Sequence, residues 1–220
     1  MLRGGLSASV AVSALIGGAA VAQTPPMNWT GFYVGANAGY FSGTSTVTDV
    51  DGLYGPNGRN YTVNPSGFIG GGQGGYNWQW DRLVLGVEGD FDGSSASDST
   101  TRLGMTQKSD ISMLATIRGR IGWALPNAPL LIYGTGGIAF GDVNDSVTGI
   151  GTVRSDKWRT GWTAGGGGEW AFDRNWSLKV EALYVDLGSA AALSVGAPGN
   201  YRFRFKDNGW LGRAGINFHF

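Results

Sequence analysis

The feature that most constrains this chain is an alternation of apolar and polar residues with period two, repeated in eight segments. Successive side chains of a strand point to opposite faces, so each segment has one apolar and one polar face. The segments are Trp29–Phe41, Phe68–Gln79, Leu83–Asp92, Asp110–Trp123, Leu130–Asp142, Thr160–Phe172, Trp176–Leu187 and about Phe205–Phe220. In the first, Phe32, Val34, Ala36, Ala38 and Tyr40 oppose Tyr33 and Asn37. In the fourth, Ile111, Met113, Ala115, Ile117, Ile121 and Trp123 oppose Ser112, Thr116, Arg118 and Arg120. Runs of about ten alternating residues suit a tilted strand that crosses a bilayer.

The connections carry independent information. Those at 80–82, 125–129 and 173–175 are short. Those at 42–67, 93–109, 143–159 and 188–204 are long and rich in Gly, Ser, Thr, Asp and Asn. Strict alternation of short and long connections is expected of an up-and-down barrel with periplasmic turns and outer loops. The expected fold is therefore all-β: a single eight-stranded antiparallel up-and-down transmembrane β-barrel over residues 23–220.

The two faces decide between membrane and water. Aromatics gather at the ends of the apolar face. Trp78, Trp123, Trp170, Trp176 and Phe218 lie beside the short turns, and Tyr40, Phe68, Phe91, Phe140, Trp162, Tyr184 and Trp210 lie toward the long loops. Two aromatic girdles around an aliphatic middle mark a lipid-facing wall. The opposite face carries Glu88, Asp90, Glu169 and Glu181 with Arg118, Arg120, Lys179 and Arg213. Charges enclosed by such a wall must be paired or hydrated, and eight strands leave an interior that side chains just fill. The reading is one cluster on the third and fourth segments, a second on the last three, and a lumen that they plug. A narrow pore lined by the same charges is the alternative.

Composition narrows the chemistry. Glycine is 40 of 220 residues, well above the usual ~7%, with no collagen period. There is no Cys and one His, His219, which removes thiolate metal sites and most histidine catalysis. The 16 basic and 16 acidic residues balance, unlike the basic surface that nucleic acid requires. Residues 1–22 read as an export signal: Arg3, an apolar run from Leu6 to Ala19, and Ala20-Val21-Ala22 as an A-x-A cleavage site. No later stretch is apolar enough for a spanning helix.

Four stretches look like chemistry. Gly134-Thr135-Gly136-Gly137-Ile138-Ala139 fits a dinucleotide loop, but the residues after it form a poor helix. Gly70–Gly75 and Gly165–Gly168 lack the Lys-Ser/Thr of a phosphate loop. Asp49-Val50-Asp51-Gly52 begins like a calcium loop and lacks its remaining ligands. No catalytic, cofactor or metal residues are expected, and Asp92 and Asp98 read as carboxylates at the loop mouth.

The last residues, Arg213-Ala214-Gly215-Ile216-Asn217-Phe218-His219-Phe220, form a strand that closes against the first and leaves no edge. Arg213, Gly215, Phe218 and Phe220 match the C-terminal assembly signal of outer-membrane barrels. Other segments extend the match: Asn28–Gly35, Gly71–Trp78, Gly86–Asp90, Arg118–Gly122, Tyr133–Gly137 and Gly161–Gly167. With these the chain resembles the Omp25/Omp31-like porin family of alphaproteobacteria, within the OmpA-like eight-stranded barrels. The resemblance implies an envelope protein of a Gram-negative outer membrane, immunogenic at its loops and linked to membrane integrity. It implies contact with outer-membrane lipid, lipopolysaccharide and the barrel assembly machinery. Some relatives are described as porins or haem binders, but no loop His is present here to ligate iron. The expectation is a chain that ends at the barrel, without the peptidoglycan-binding domain of full OmpA proteins. The functional expectation is a structural envelope barrel; the alternatives are a narrow passive porin and a loop-mediated receptor or adhesin.

Overall fold

A computed structural model describes residues 27–53, 56–102, 105–149, 152–194 and 201–220. The export segment 1–22 lies outside them. The strands are β1 (Gly31–Asp49), β2 (Arg59–Val63), β3 (Ser66–Trp80), β4 (Leu83–Arg102), β5 (Met105–Ala124), β6 (Leu130–Thr148), β7 (Thr152–Ala171), β8 (Trp176–Leu193) and β9 (Arg202–His219). All pairings are antiparallel between neighbours, and β1 closes on β9 from Tyr33↔His219 to Asp49↔Phe203. The short β2 is the one strand beyond the eight expected. It pairs with the upper part of β1 while β3 pairs with the lower part. The break between them falls at Asn64-Pro65, where proline lacks the N–H a ladder needs. β2 and β3 are thus two lengths of one stave, and the barrel has eight staves.

The polarity is that of a membrane wall. Ile117 and Val180 are each 64% exposed on the outside, while Glu88 and Arg118 are 4% and 1% exposed within. Trp162/Trp170, Trp176/Tyr184, Trp210/Phe218 and Phe32/Tyr40 each lie eight residues apart on one strand. At ~3.3 Å per residue and a ~40° tilt that separates the two girdles by about 20 Å, close to the ~25 Å apolar band of such barrels. Within the upper girdle, Trp162 meets Tyr184 at 5.4 Å and Tyr184 meets Trp210 at 5.3 Å between ring centres.

The segments read as long loops are mostly strand. β1 continues to Asp49, β4 to Arg102, β6 to Thr148 and β8 to Leu193. Strands of 18–20 residues stand about 45–50 Å tall at that tilt, so the wall rises well above the bilayer. There the alternation reverses. Val47, Val143, Val147, Phe203 and Phe205 turn inward and are fully buried, while Thr46, Thr48, Ser146, Arg204 and Lys206 face out. Water replaces lipid outside, so apolar side chains gain more from burial inside.

The upper barrel is also split. Pairing of β3 with β4 ends at Ser66↔Ser97, and pairing of β7 with β8 ends at Trp162↔Asp186. Above these points β2, β1, β9 and β8 form one wall and β4 to β7 the other. One further correction concerns β5. The register shifts between Ile111 and Met113, leaving Ser112 as an extra residue and turning Ile111 into the lumen, 5% exposed. A bulge re-aims side chains in this way, and period-two counting could not detect it.

Two loop motifs hold the rim. Asp49 Oδ1 accepts hydrogen bonds from the N–H groups of Gly52 (2.8 Å) and Leu53 (3.1 Å), so its carboxylate shapes the turn. Arg202 donates to Asp51 through Nη2 at 2.8 Å and Nε at 3.1 Å. These bonds hold the Asp51 carboxyl below its usual range. A lowered value means that the tie is complete above the unfolded carboxylate range, near ~3.9, and is lost as pH falls through the lower folded value. The protection factor of the amides at residues 50–53, their exchange relative to the unstructured rate at the same pH, is expected to stay constant down to about pH 4 and to fall below it; a loss of protection already at pH 6 would contradict the pairing.

Candidate functional site: the barrel lumen

The lumen is filled in layers. At the periplasmic end Trp29 is 1% exposed and packs with Val84, Ala124, Leu131, Tyr133 and Ala171. Its backbone N–H donates to Gln79 Oε1 at 2.7 Å, and its ring meets His219 edge-on at 5.7 Å. Above this floor lies a polar layer. An apolar layer follows, including Phe41, Ile69, Ile111, Leu114, Leu183, Leu187 and Leu211. Arg159 then bridges Asp145 and Asp207, and Val47, Tyr61, Val147, Phe203 and Phe205 form the roof.

Strand parity builds the lower polar layer. Glu88, Asp90 and Asp92 alternate along β4, Thr116, Arg118 and Arg120 along β5, and Lys179 and Glu181 along β8; Glu169 and Arg213 sit on β7 and β9. Arg118 is the hub. Its guanidinium pairs with Glu88, with Asp90 Oδ2 at 2.9 Å and with Glu181 Oε2 at 3.3 Å, and its Nε donates to Thr116 Oγ1 at 2.9 Å. Arg213 reaches Glu181 at 2.5 Å, Asp92 at 2.7 Å and Asp90 at 2.9 Å. Lys179 Nζ lies 2.9 Å from both Glu88 oxygens. Arg120 Nη2 donates to Glu169 at 2.7 Å, and its guanidinium stacks 4.2 Å over the Tyr133 ring.

The two clusters expected from strand order are therefore one network. The barrel is narrow enough for Arg118 on β5 to reach Glu181 on β8 across the lumen. Asp92 is not at a loop mouth: it is 0% exposed and bound by Arg213 and by Asn37 Nδ2 at 3.0 Å. Sequence reasoning missed the neutral members. Tyr33 donates to Glu88 at 2.6 Å and Tyr133 to Glu181 at 2.9 Å. Their lumen-side parity was the available signal. It missed Arg159 and Asp145 because 143–159 reads as a loop, and Asp207, though inside the last segment, because its partner Arg159 lies in that stretch.

Ser177, His219 and Glu169 come together, but not as a nucleophile relay. Ser177 Oγ donates to Glu169 Oε1 at 2.6 Å and also lies 2.9 Å from His219 Nε2. That same imidazole nitrogen lies 3.3 Å from Glu169 Oε1. A relay needs base and carboxylate on opposite imidazole nitrogens; here the carboxylate binds the serine directly. The Gly134–Ala139 stretch lies in mid-β6 and opens no helix.

Of the terminal residues, Arg213 belongs to the network and Gly215 packs near the Ala36 carbonyl. Phe218 meets Trp176 at 5.1 Å and Phe220 at 5.2 Å at the lower rim. Phe220 is 74% exposed, and its N–H donates to the Phe32 carbonyl at 3.1 Å.

A closed antiparallel ring, lipid-facing outside and charged inside, defines an integral outer-membrane barrel. The family model for the outer membrane protein beta-barrel domain matches residues 10–218, and the chain belongs to that family, in the outer membrane. It is 37% identical to the 31 kDa outer-membrane immunogenic protein of Brucella melitensis, over 90% of this chain and 87% of that one. It is 33% identical to a 22 kDa outer membrane protein of Rhizobium leguminosarum, over 75% and 67% of the two chains. Among solved structures, OprG of Pseudomonas aeruginosa matches with a TM-score of 0.56 at 13% identity, covering 89% of this chain and 98% of that one. The protease OmpT of Escherichia coli matches at 0.52 and 10% identity, covering 90% and 99%; that likeness concerns the fold alone.

Proposed function

We propose that this barrel is a structural component of the outer membrane, without enzymatic activity, whose lumen is closed by stacked side-chain layers and whose upper half is displayed at the cell surface. The observation that carries the reading is the layering. An ion crossing the barrel must pass a buried aromatic floor, a hydrogen-bonded ion network and two apolar layers. Each apolar layer removes the partners that a hydrated ion needs. The tall upper walls support surface exposure, in keeping with the immunogenic character that the Brucella relative's name records. On this reading residues 1–22 direct export, and the assembly machinery engages the final strand through Gly215, Phe218 and Phe220.

A deletion strain tests the role. It is expected to become sensitive to detergents and large hydrophobic antibiotics, with uptake of small solutes unchanged. An intact envelope combined with slowed small-solute uptake would instead identify a porin.

A further inference from the structure

The outward face of β9 changes chemistry abruptly at the upper girdle. Ala214, Gly212 and Trp210 face lipid; then Asn208, Lys206, Arg204 and Arg202 follow on the same face. In register beside them on β1 stand Thr46 opposite Lys206 and Thr48 opposite Arg204, with Thr44 opposite Asn208. Outward side chains two residues apart lie ~6.8 Å apart along a strand, and neighbouring strands are ~4.8 Å apart. The three cations therefore span about 13 Å of wall, flanked by a column of hydroxyls. Trp210 marks the boundary between hydrocarbon and headgroups. Lys206, four residues higher, stands about 10 Å above that boundary at a ~40° tilt.

We propose that this face of β9 and β1 is a binding site for the phosphates of lipopolysaccharide in the outer leaflet, with Arg204 and Lys206 as its principal contacts. The charges support a phosphate ligand. Arg202 is bound to Asp51, and Lys206 lies 3.8 Å from Asp186 Oδ2. Arg204 has no carboxylate partner among the described residues, so this face keeps a net positive charge. The side chains of Arg202 and Lys206 are 66% and 55% exposed, which leaves donors free for a ligand. The opposite wall differs. There Lys108 is held 2.7 Å from Asp110, and Asp142 also faces outward, so among the described side chains of that wall acids outnumber bases. Among the described side chains, the basic face of β9 and β1 thus has no counterpart on the far wall. Arginine and lysine are the usual phosphate donors of proteins.

The site is tested with the whole barrel in detergent micelles, titrated with lipopolysaccharide, with its dephosphorylated form, with phosphatidylglycerol and with inorganic phosphate. The double variant Arg204→Glu/Lys206→Glu is compared with Lys108→Glu on the far wall. All three positions are on the water-exposed wall, and folding is checked by gel migration without boiling. Near an anionic surface each basic residue is worth ~1 kcal/mol, so the double reversal is expected to weaken lipopolysaccharide binding by about tenfold or more. Lys108→Glu should leave binding unchanged, and dephosphorylated lipopolysaccharide should bind the wild type as weakly as the variant binds the intact lipid. Equal binding by wild type and double variant would overturn the site. Phosphatidylglycerol or free phosphate binding as tightly as lipopolysaccharide would show a general anion surface and overturn the assigned ligand.

Discussion

Arg118→Ala is expected to destabilise the folded barrel by about 3–5 kcal/mol, the cost typical of removing one partner from a buried ion network. The side chain is fully enclosed and holds Glu88, Asp90 and Glu181 together. Without it, Lys179 still faces Glu88 and Arg213 still faces Asp90 and Glu181. Four bases facing five acids become three. The excess negative charge lies below the apolar layer, away from the outer solvent. The midpoint of urea unfolding in micelles should fall, and the fraction migrating as folded barrel without boiling should drop. Adding Glu181→Gln should restore part of the loss, because contacting residues are not additive. A variant as stable as wild type would mean that the charges are separately hydrated rather than networked.

Gly165→Ala is expected to have a comparable effect for a different reason. A methyl group at Gly165 would stand 2.0 Å from the Ala182 carbonyl oxygen and 2.9 Å from Leu183 Cα. Both obstacles are backbone of the neighbouring strand and cannot rotate aside, so β7 and β8 would have to separate. Overpacking at such a site should cost about 3 kcal/mol or more. Gly212 on β9 is the control: it faces lipid, and a methyl group there meets nothing within 4 Å. Gly212→Ala should fold and melt as wild type does. Equal tolerance at both sites would show that the wall yields more readily than its backbone spacing allows.

These two variants also show how much the sequence could reveal. Parity alone put Arg118 on the inside and Ile117 on the outside, because lipid on one face and a narrow lumen on the other impose opposite chemistry on alternate residues. The staves within the bilayer were legible for that reason. Above the girdle the contrast reverses: Thr46 and Thr48 face water while Val47 faces the interior. Scanned for an apolar outer face, that pattern resembles the end of a strand, so Arg159 and Asp145 are hidden by it. The single network was hidden for another reason. Pairing order brings Glu88 beside Arg118, but only the barrel's small diameter lets Arg118 reach Glu181 across it. Trp29 opens the first alternating segment on the same parity as Tyr33, but parity alone does not say that it folds under the barrel as its floor.

The central claim is that stacked side-chain layers close the lumen. Current recorded across planar bilayers, after insertion of the purified monomer, tests it most directly. The layered lumen predicts a flat baseline, with no stable open level at any salt concentration, from protein whose folded state is verified by gel migration. Reproducible ohmic steps that grow in proportion to salt would contradict it and make this barrel a channel.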